Sequence, residues 1–157
     1  MQETPYLKDR SDLIEIIRKI PFLRSYSDMQ LLDILSLSKM RKFAPGERIT
    51  REGELDSWLY IILSGEVIIS NLGTAIAMIS SPGSTIGEMA IVDGEPRSAS
   101  VDATAETTTL AIDMSVTERM SDAGREPVSY THLRAHETVL DLVWRLLLEK
   151  KQHQYKA

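Results

Sequence analysis

Cysteine is absent from the 157-residue sequence, which excludes disulfides, thiolate chemistry and cysteine-ligated zinc. A surplus of positive charge is missing too. Lys and Arg number 18 against 23 Asp and Glu, for a formal net charge of -5. The chain therefore has no general attraction for nucleic acid or anionic lipid, and any phosphate it holds must be met locally. Residues Met1 to Arg10 carry charges and Pro5 where a secretory leader needs an apolar stretch, so no export is expected and the cytoplasm is the expected location. Charge is also lacking from Val67 to Gly87. Ser, Asn, Thr, Gly and Pro interrupt that run too often for a membrane span, and it reads as strands and turns.

What is present suits a single packed domain with a terminal appendage, at 43% hydrophobic and 26% charged residues. Leu13, Ile16, Ile17 and Ile20 have the spacing of an amphipathic helix that Pro21 closes. Ser27 and Gln30 have the form of a capping box, with Leu31, Leu32, Ile34, Leu35 and Leu37 as the apolar stripe of a second helix. After Lys42 short apolar runs alternate with turn residues: Pro45-Gly46, Gly53, Gly65, Asn71, Gly73, Pro82-Gly83 and Gly94. Trp58 to Leu63, Val67 to Ile69 and Ala75 to Ile79 read as closely spaced strands, and Thr108, Leu110 and Ile112 alternate like a half-buried one. Ser115 and Glu118 repeat the capping pattern, with Gly124 and Pro127 ending that helix. The expected fold is mainly β, an antiparallel roll of jelly-roll type flanked by N-terminal and C-terminal helices.

The segment Thr85 to Val101, TIGEMAIVDGEPRSASV, carries the chemistry. Gly87 permits close backbone approach, and Glu88, Met89, Ala90, Ile91 and Val92 can form a short helical turn whose free N–H groups point at a phosphate. Across the loop Asp93 to Pro96, Arg97 offers a planar fork matched to phosphate oxygens, and Ser98 a hydroxyl. A carboxylate that accepts and an arginine that donates suit a hydroxyl beside a phosphate, as in a ribose phosphate. A Glu and an Arg beside a turn also form surface ion pairs, and the residues alone leave both readings open.

This segment resembles the phosphate-binding cassette of the cyclic-nucleotide-binding domain family, roughly Phe-Gly-Glu-Leu-Ala-Leu, a loop, then Pro-Arg-x-Ala. Here it stands as Ile86-Gly87-Glu88-Met89-Ala90-Ile91 and Pro96-Arg97-Ser98-Ala99, with Ile86 in place of the usual aromatic. Pro45-Gly46-Glu47, Arg51 to Glu54 and Leu59 to Glu66 resemble the family's early strands in the same order, so the likeness covers about residues 10 to 126. It implies a ligand-binding regulatory module rather than an enzyme, with cAMP or alternatively cGMP as ligand and no cofactor or metal. Glu88 would take the ribose 2′-hydroxyl, Arg97 the cyclic phosphate, and Ser98 or the Ala99 N–H another phosphate oxygen. Ile86, Gly87, Met89 and Ala90 complete the expected site. Ser98 occurs in relatives of either base preference, which leaves base selectivity open. The alternatives are a roll of the same fold that has lost its ligand and serves as a scaffold, and the sensor of a transcription regulator. A homodimer or an effector protein is the expected partner.

The C-terminus departs from this pattern. Residues 128–138, VSYTHLRAHET, resemble translated sequencing-adaptor DNA, and Leu142 to Lys150 resemble its continuation except at Trp144, where that reading gives cysteine. The resemblance implies a natural gene cut near Glu126 or Pro127 and a tail not selected for this fold. Val139, Leu142, Val143, Leu146 and Leu147 nevertheless have helical spacing. His132 and His136, with Glu137, lack a third ligand and fit the adaptor reading better than a metal site. Lys150, Lys151 and Lys156 read as a solvated tail rather than a nucleic-acid patch. The expected organisation is helices over residues 1–42, a roll over 43–114, a helix over 115–127 and a non-native tail over 128–157.

Overall fold

The capping box forms as its residues dictate: Ser27 Oγ accepts the Gln30 N–H at 3.2 Å while Gln30 Oε1 accepts the Ser27 N–H at 2.9 Å. The computed structural model describes residues 1–115. The helix expected from Ser115 and Glu118, the adaptor-like tail, and His132 and His136 lie outside the described residues.

Two helices precede the roll, α1 (Ile14–Arg18) and α2 (Asp28–Ser36). α1 is shorter than its periodicity suggests, because 3-10 turns occupy Ser11–Leu13 and Pro21–Leu23 on either side. Leu13, Ile14, Ile17 and Ile20 are enclosed, while Ile16 is exposed. The strands are β1 (Gln2–Glu3), β2 (Ser38–Phe43), β3 (Arg48–Thr50), β4 (Trp58–Ser64), β5 (Val67–Asn71), β6 (Thr74–Ile79), β7 (Thr85–Ile86), β8 (Ser100–Ala103) and β9 (Thr107–Asp113), with α3 (Glu88–Asp93) between β7 and β8. β1 and β2 fall inside the stretch expected to be helical.

Among the described residues the strands form two sheets, in the orders β1-β2-β9-β4-β7 and β3-β8-β5-β6, and every pairing is antiparallel. Alternation along β4 and β9 divides the interior. Leu59, Ile61, Leu110 and Ile112 pack with α1 and α2, while Tyr60, Ile62 and Ala111 face Val67, Val101 and Ala103 of the second sheet. β9 is consequently not half-buried. It lies between β2 and β4 with apolar layers on both faces, and Thr109, Leu110, Ala111 and Ile112 are all 2% exposed or less.

β5 and β6 form a hairpin whose turn places Leu72 at φ 51° and Gly73 at φ 78°. Two consecutive left-handed residues match the twist of the flanking strands. The Leu72 N–H donates to Glu52 Oε2 at 3.1 Å, which ties the hairpin tip to the loop after β3.

Candidate functional site

A cavity of about 230 Å³ opens where β5, β6 and β8 meet the segment from β7 to Arg97. Seven of the eight residues expected at the site line it: Ile86, Gly87, Glu88, Ala90, Arg97, Ser98 and Ala99. Met89 takes its expected place in the first turn of α3. The rest of the wall is mostly apolar, from Ile69, Ile79 and Val101, with hydroxyls from Thr50 and Thr85. These five were not foreseen, because a strand pattern shows which residues alternate and not which cavity they reach.

α3 begins where the sequence places it. Gly87 at φ 90° turns the chain into the helix, and the Ile91 N–H bonds back to the Gly87 carbonyl at 3.3 Å. The N–H groups of Glu88, Met89 and Ala90 precede that first bond and have no partner within the helix.

Arg97 is not a fork held out in solvent. Its residue exposure is 4%, and the guanidinium lies in a cradle of protein acceptors. Nε donates to Asp56 Oδ2 at 3.1 Å, Nη2 to Asp56 Oδ1 and to the Trp58 carbonyl, and Nη1 to the Gly87 carbonyl at 3.0 Å. Four of the five guanidinium N–H groups are thereby used. The remaining one, on Nη1, has no partner among the described residues. Asp56 is fixed in turn, since its Oδ1 accepts the Trp58 N–H at 3.0 Å. The backbone is held by the same loop: Arg97 N–H donates to the Glu54 carbonyl and Gly53 N–H to the Arg97 carbonyl, both at 2.8 Å.

Glu88 stands at the same cavity, half-buried, with no hydrogen bond or ion pair among the described residues. It is therefore not the ion-pair partner of Arg97; that role falls to Asp56, and the pair is buried on the arginine's side. Asp56 was missed by sequence reasoning. The available signal was chemical: a buried arginine requires a carboxylate, and Asp56-Ser57-Trp58 has the form of an Asx turn before a strand.

A second polar cluster adjoins the Arg97 cradle through Trp58. The Arg41 guanidinium carbon lies 4.0 Å from the centroid of the Trp58 ring, Nη1 donates to Tyr60 Oη at 2.7 Å, and Nε donates to Glu3 Oε2 at 2.8 Å. The hydrogen bond from Arg41 holds the Glu3 carboxyl below the usual carboxylate range. Burial pushes the Tyr60 phenol up, against the opposing pull of Arg41.

The family model of the cyclic nucleotide-binding domain matches residues 40–123. A cyclic nucleotide-gated potassium channel of Rhizobium etli is 26% identical over 122 residues, which is 76% of this chain and 34% of the channel. A cAMP-dependent protein kinase regulatory subunit of Blastocladiella emersonii is 30% identical over 94 residues, 57% of this chain and 23% of that protein. The chain thus spans about a third or less of these curated relatives. Among solved structures, a cyclic nucleotide-binding domain from Methylobacillus flagellatus superposes with a TM-score of 0.66 at 22% identity, over 98% of this chain and 85% of that one. The regulatory domain of Toxoplasma gondii protein kinase A, crystallised with cAMP, also gives 0.66, at 21% identity over 93% of this chain and 50% of that one. The fold is shared with both. With the family model matching more than half its length, this chain belongs to the cyclic nucleotide-binding domain family.

Proposed function

We propose that the chain binds cAMP in the cavity beside α3 as a regulatory module, without catalysing a reaction. The observation that carries this reading is the meeting, in one cavity, of a guanidinium with a spare Nη1 N–H, the Glu88 carboxylate and the Ser98 hydroxyl. Arg97 and the opening N–H groups of α3 would take the cyclic phosphate, and Glu88 would accept the ribose 2′-hydroxyl. Gly87, Ala90 and Ala99 keep the wall low enough for the sugar-phosphate, and Ile86 packs below it. Ile69, Ile79 and Val101 would meet the purine through apolar contact. No polar group among them reads the base edge, and cGMP is accordingly the second ligand to test. Binding would shift a conformational equilibrium only by the difference in affinity for its two states. An effector domain or a second copy would be the recipient of that shift.

A scaffold that binds no nucleotide has one observation in its favour: most of the donors on Arg97 are already used within the protein. Calorimetric titration with cAMP and with cGMP, alongside an Arg97→Ala variant, separates the two readings. Saturable binding that the variant loses is expected. Absence of binding to either nucleotide would overturn the first reading and favour the scaffold or a lid lost at the C-terminal end.

A further inference from the structure

We infer that Asn71 is a positioning residue for the phosphate end of the cavity, holding the Ser98–Ala99 peptide so that the Ala99 N–H faces the ligand. The inference rests on the nucleotide binding proposed above and assigns a role to a residue outside the cavity wall. Asn71 Nδ2 donates to the Ser98 carbonyl at 3.0 Å. Ser98 and Ala99 line the cavity and Asn71 does not.

The C=O and N–H of a trans peptide unit point in opposite directions, and the chain has no cis peptide among the described residues. The two peptides flanking Ser98 are each held at their carbonyl. Gly53 N–H takes the Arg97 carbonyl at 2.8 Å, which turns the Ser98 N–H away from Gly53, and Asn71 takes the Ser98 carbonyl at 3.0 Å, which turns the Ala99 N–H away from Asn71. Neither Gly53 nor Asn71 belongs to the cavity wall. The Ser98 N–H and hydroxyl and the Ala99 N–H have no partner among the described residues.

Asn71 can perform this task because its own position is set. It pairs with Thr74 across the hairpin, and the adjoining Leu72 is tied to Glu52. The hairpin tip is therefore bonded to two separate segments, to Glu52 through Leu72 and to Ser98 through Asn71. Ser98 is itself exposed, and its carbonyl would otherwise exchange with water.

The test is a titration of the full chain, as wild type, Asn71→Ala and Asn71→Asp, with cAMP and with its Sp and Rp phosphorothioates. Asn71→Asp keeps the size and removes the donor. Both variants should bind cAMP about fivefold to tenfold more weakly, with melting temperatures near wild type. The wild-type preference between the two phosphorothioates should shrink in both variants, because the Ala99 N–H no longer meets one phosphate oxygen in a fixed direction. Equal weakening for all three ligands with that preference unchanged would show a merely structural role and overturn the inference, as would unchanged affinity. A wild type that binds none of them overturns the proposed function itself, and this inference with it.

Discussion

The guanidinium of Arg97 lies so close to Gly87 that a Cβ added to Gly87 would fall 1.7 Å from Nη1. The glycine thus serves two purposes at once. Its φ of 90° starts α3, and its missing side chain leaves room for the arginine. The sequence suggested that this space was for a phosphate.

Gly87→Ala should therefore do more than strain the turn. The left-handed backbone alone costs about 1–2 kcal/mol for a residue with a side chain, and Arg97 must also leave its cradle. Thermal unfolding should show the loss of stability, and calorimetry the loss of cyclic-nucleotide binding. Retained affinity would mean that the observed position of Arg97 is unnecessary for binding.

Asp56→Asn leaves a cation whose side chain is 3% exposed without its counter-charge. Breaking a buried pair this way costs about 3 kcal/mol, the lower end of such effects, because the Gly87 and Trp58 carbonyls still accept. A bound phosphate would replace part of the missing charge. The rise in melting temperature on adding cAMP should accordingly be larger in the variant than in the wild type, as differential scanning fluorimetry would show.

Glu3 gives a pH dependence with a definite sign. Its carboxyl is depressed in the folded state by Arg41. That contribution is complete above the unfolded value of about 4.3 and is lost as pH falls through the lower folded value. Wild type should exceed Glu3→Gln in melting temperature at neutral pH, and the gap should narrow as pH falls below about 4.3. A gap that persists at lower pH would mean the pair contributes through packing instead.

Ile61 and Ile76 should answer differently to the same truncation. Ile61 is 0% exposed between β4 and the helices, whereas Ile76 on the outer strand β6 is 60% exposed. Ile61→Ala should cost about 2–5 kcal/mol, and Ile76→Ala no more than about 0.5 kcal/mol. Chemical denaturation of the two variants would check both values.

The elements visible in the sequence are those whose causes are local. The Ser27 capping box, the hairpin around Leu72 and Gly73, and the Gly87-to-Arg97 segment are each written in a few adjacent residues. The Asx turn at Asp56 is local, but its pairing with Arg97 spans 41 residues, as that of Glu3 with Arg41 spans 38, and neither pairing could be read from adjacent residues. β2 was missed for a related reason. Its sequence, SKMRKF, shows no period-2 alternation of apolar residues, and it is a strand because β9 pairs with it along its whole length. β9 in turn looked half-buried because alternation of Thr with Leu and Ile suggests one wet face, yet Thr109 finds the Arg41 carbonyl at 3.0 Å and stays dry.

The neutralisation of Arg97 by Asp56 bears on how fast an anion arrives. With that pair summing to zero, the unpaired charge at the cavity is the negative one of Glu88, in a chain of net charge -5. A cyclic nucleotide approaching from a distance would meet a repelling field, and under the proposed binding mode attraction would take over only within hydrogen-bonding reach of the spare Nη1 N–H. Association should therefore be slower than the steered encounters of basic phosphate-binding sites. It should quicken, not slow, as added salt screens the repulsion over about 10 Å.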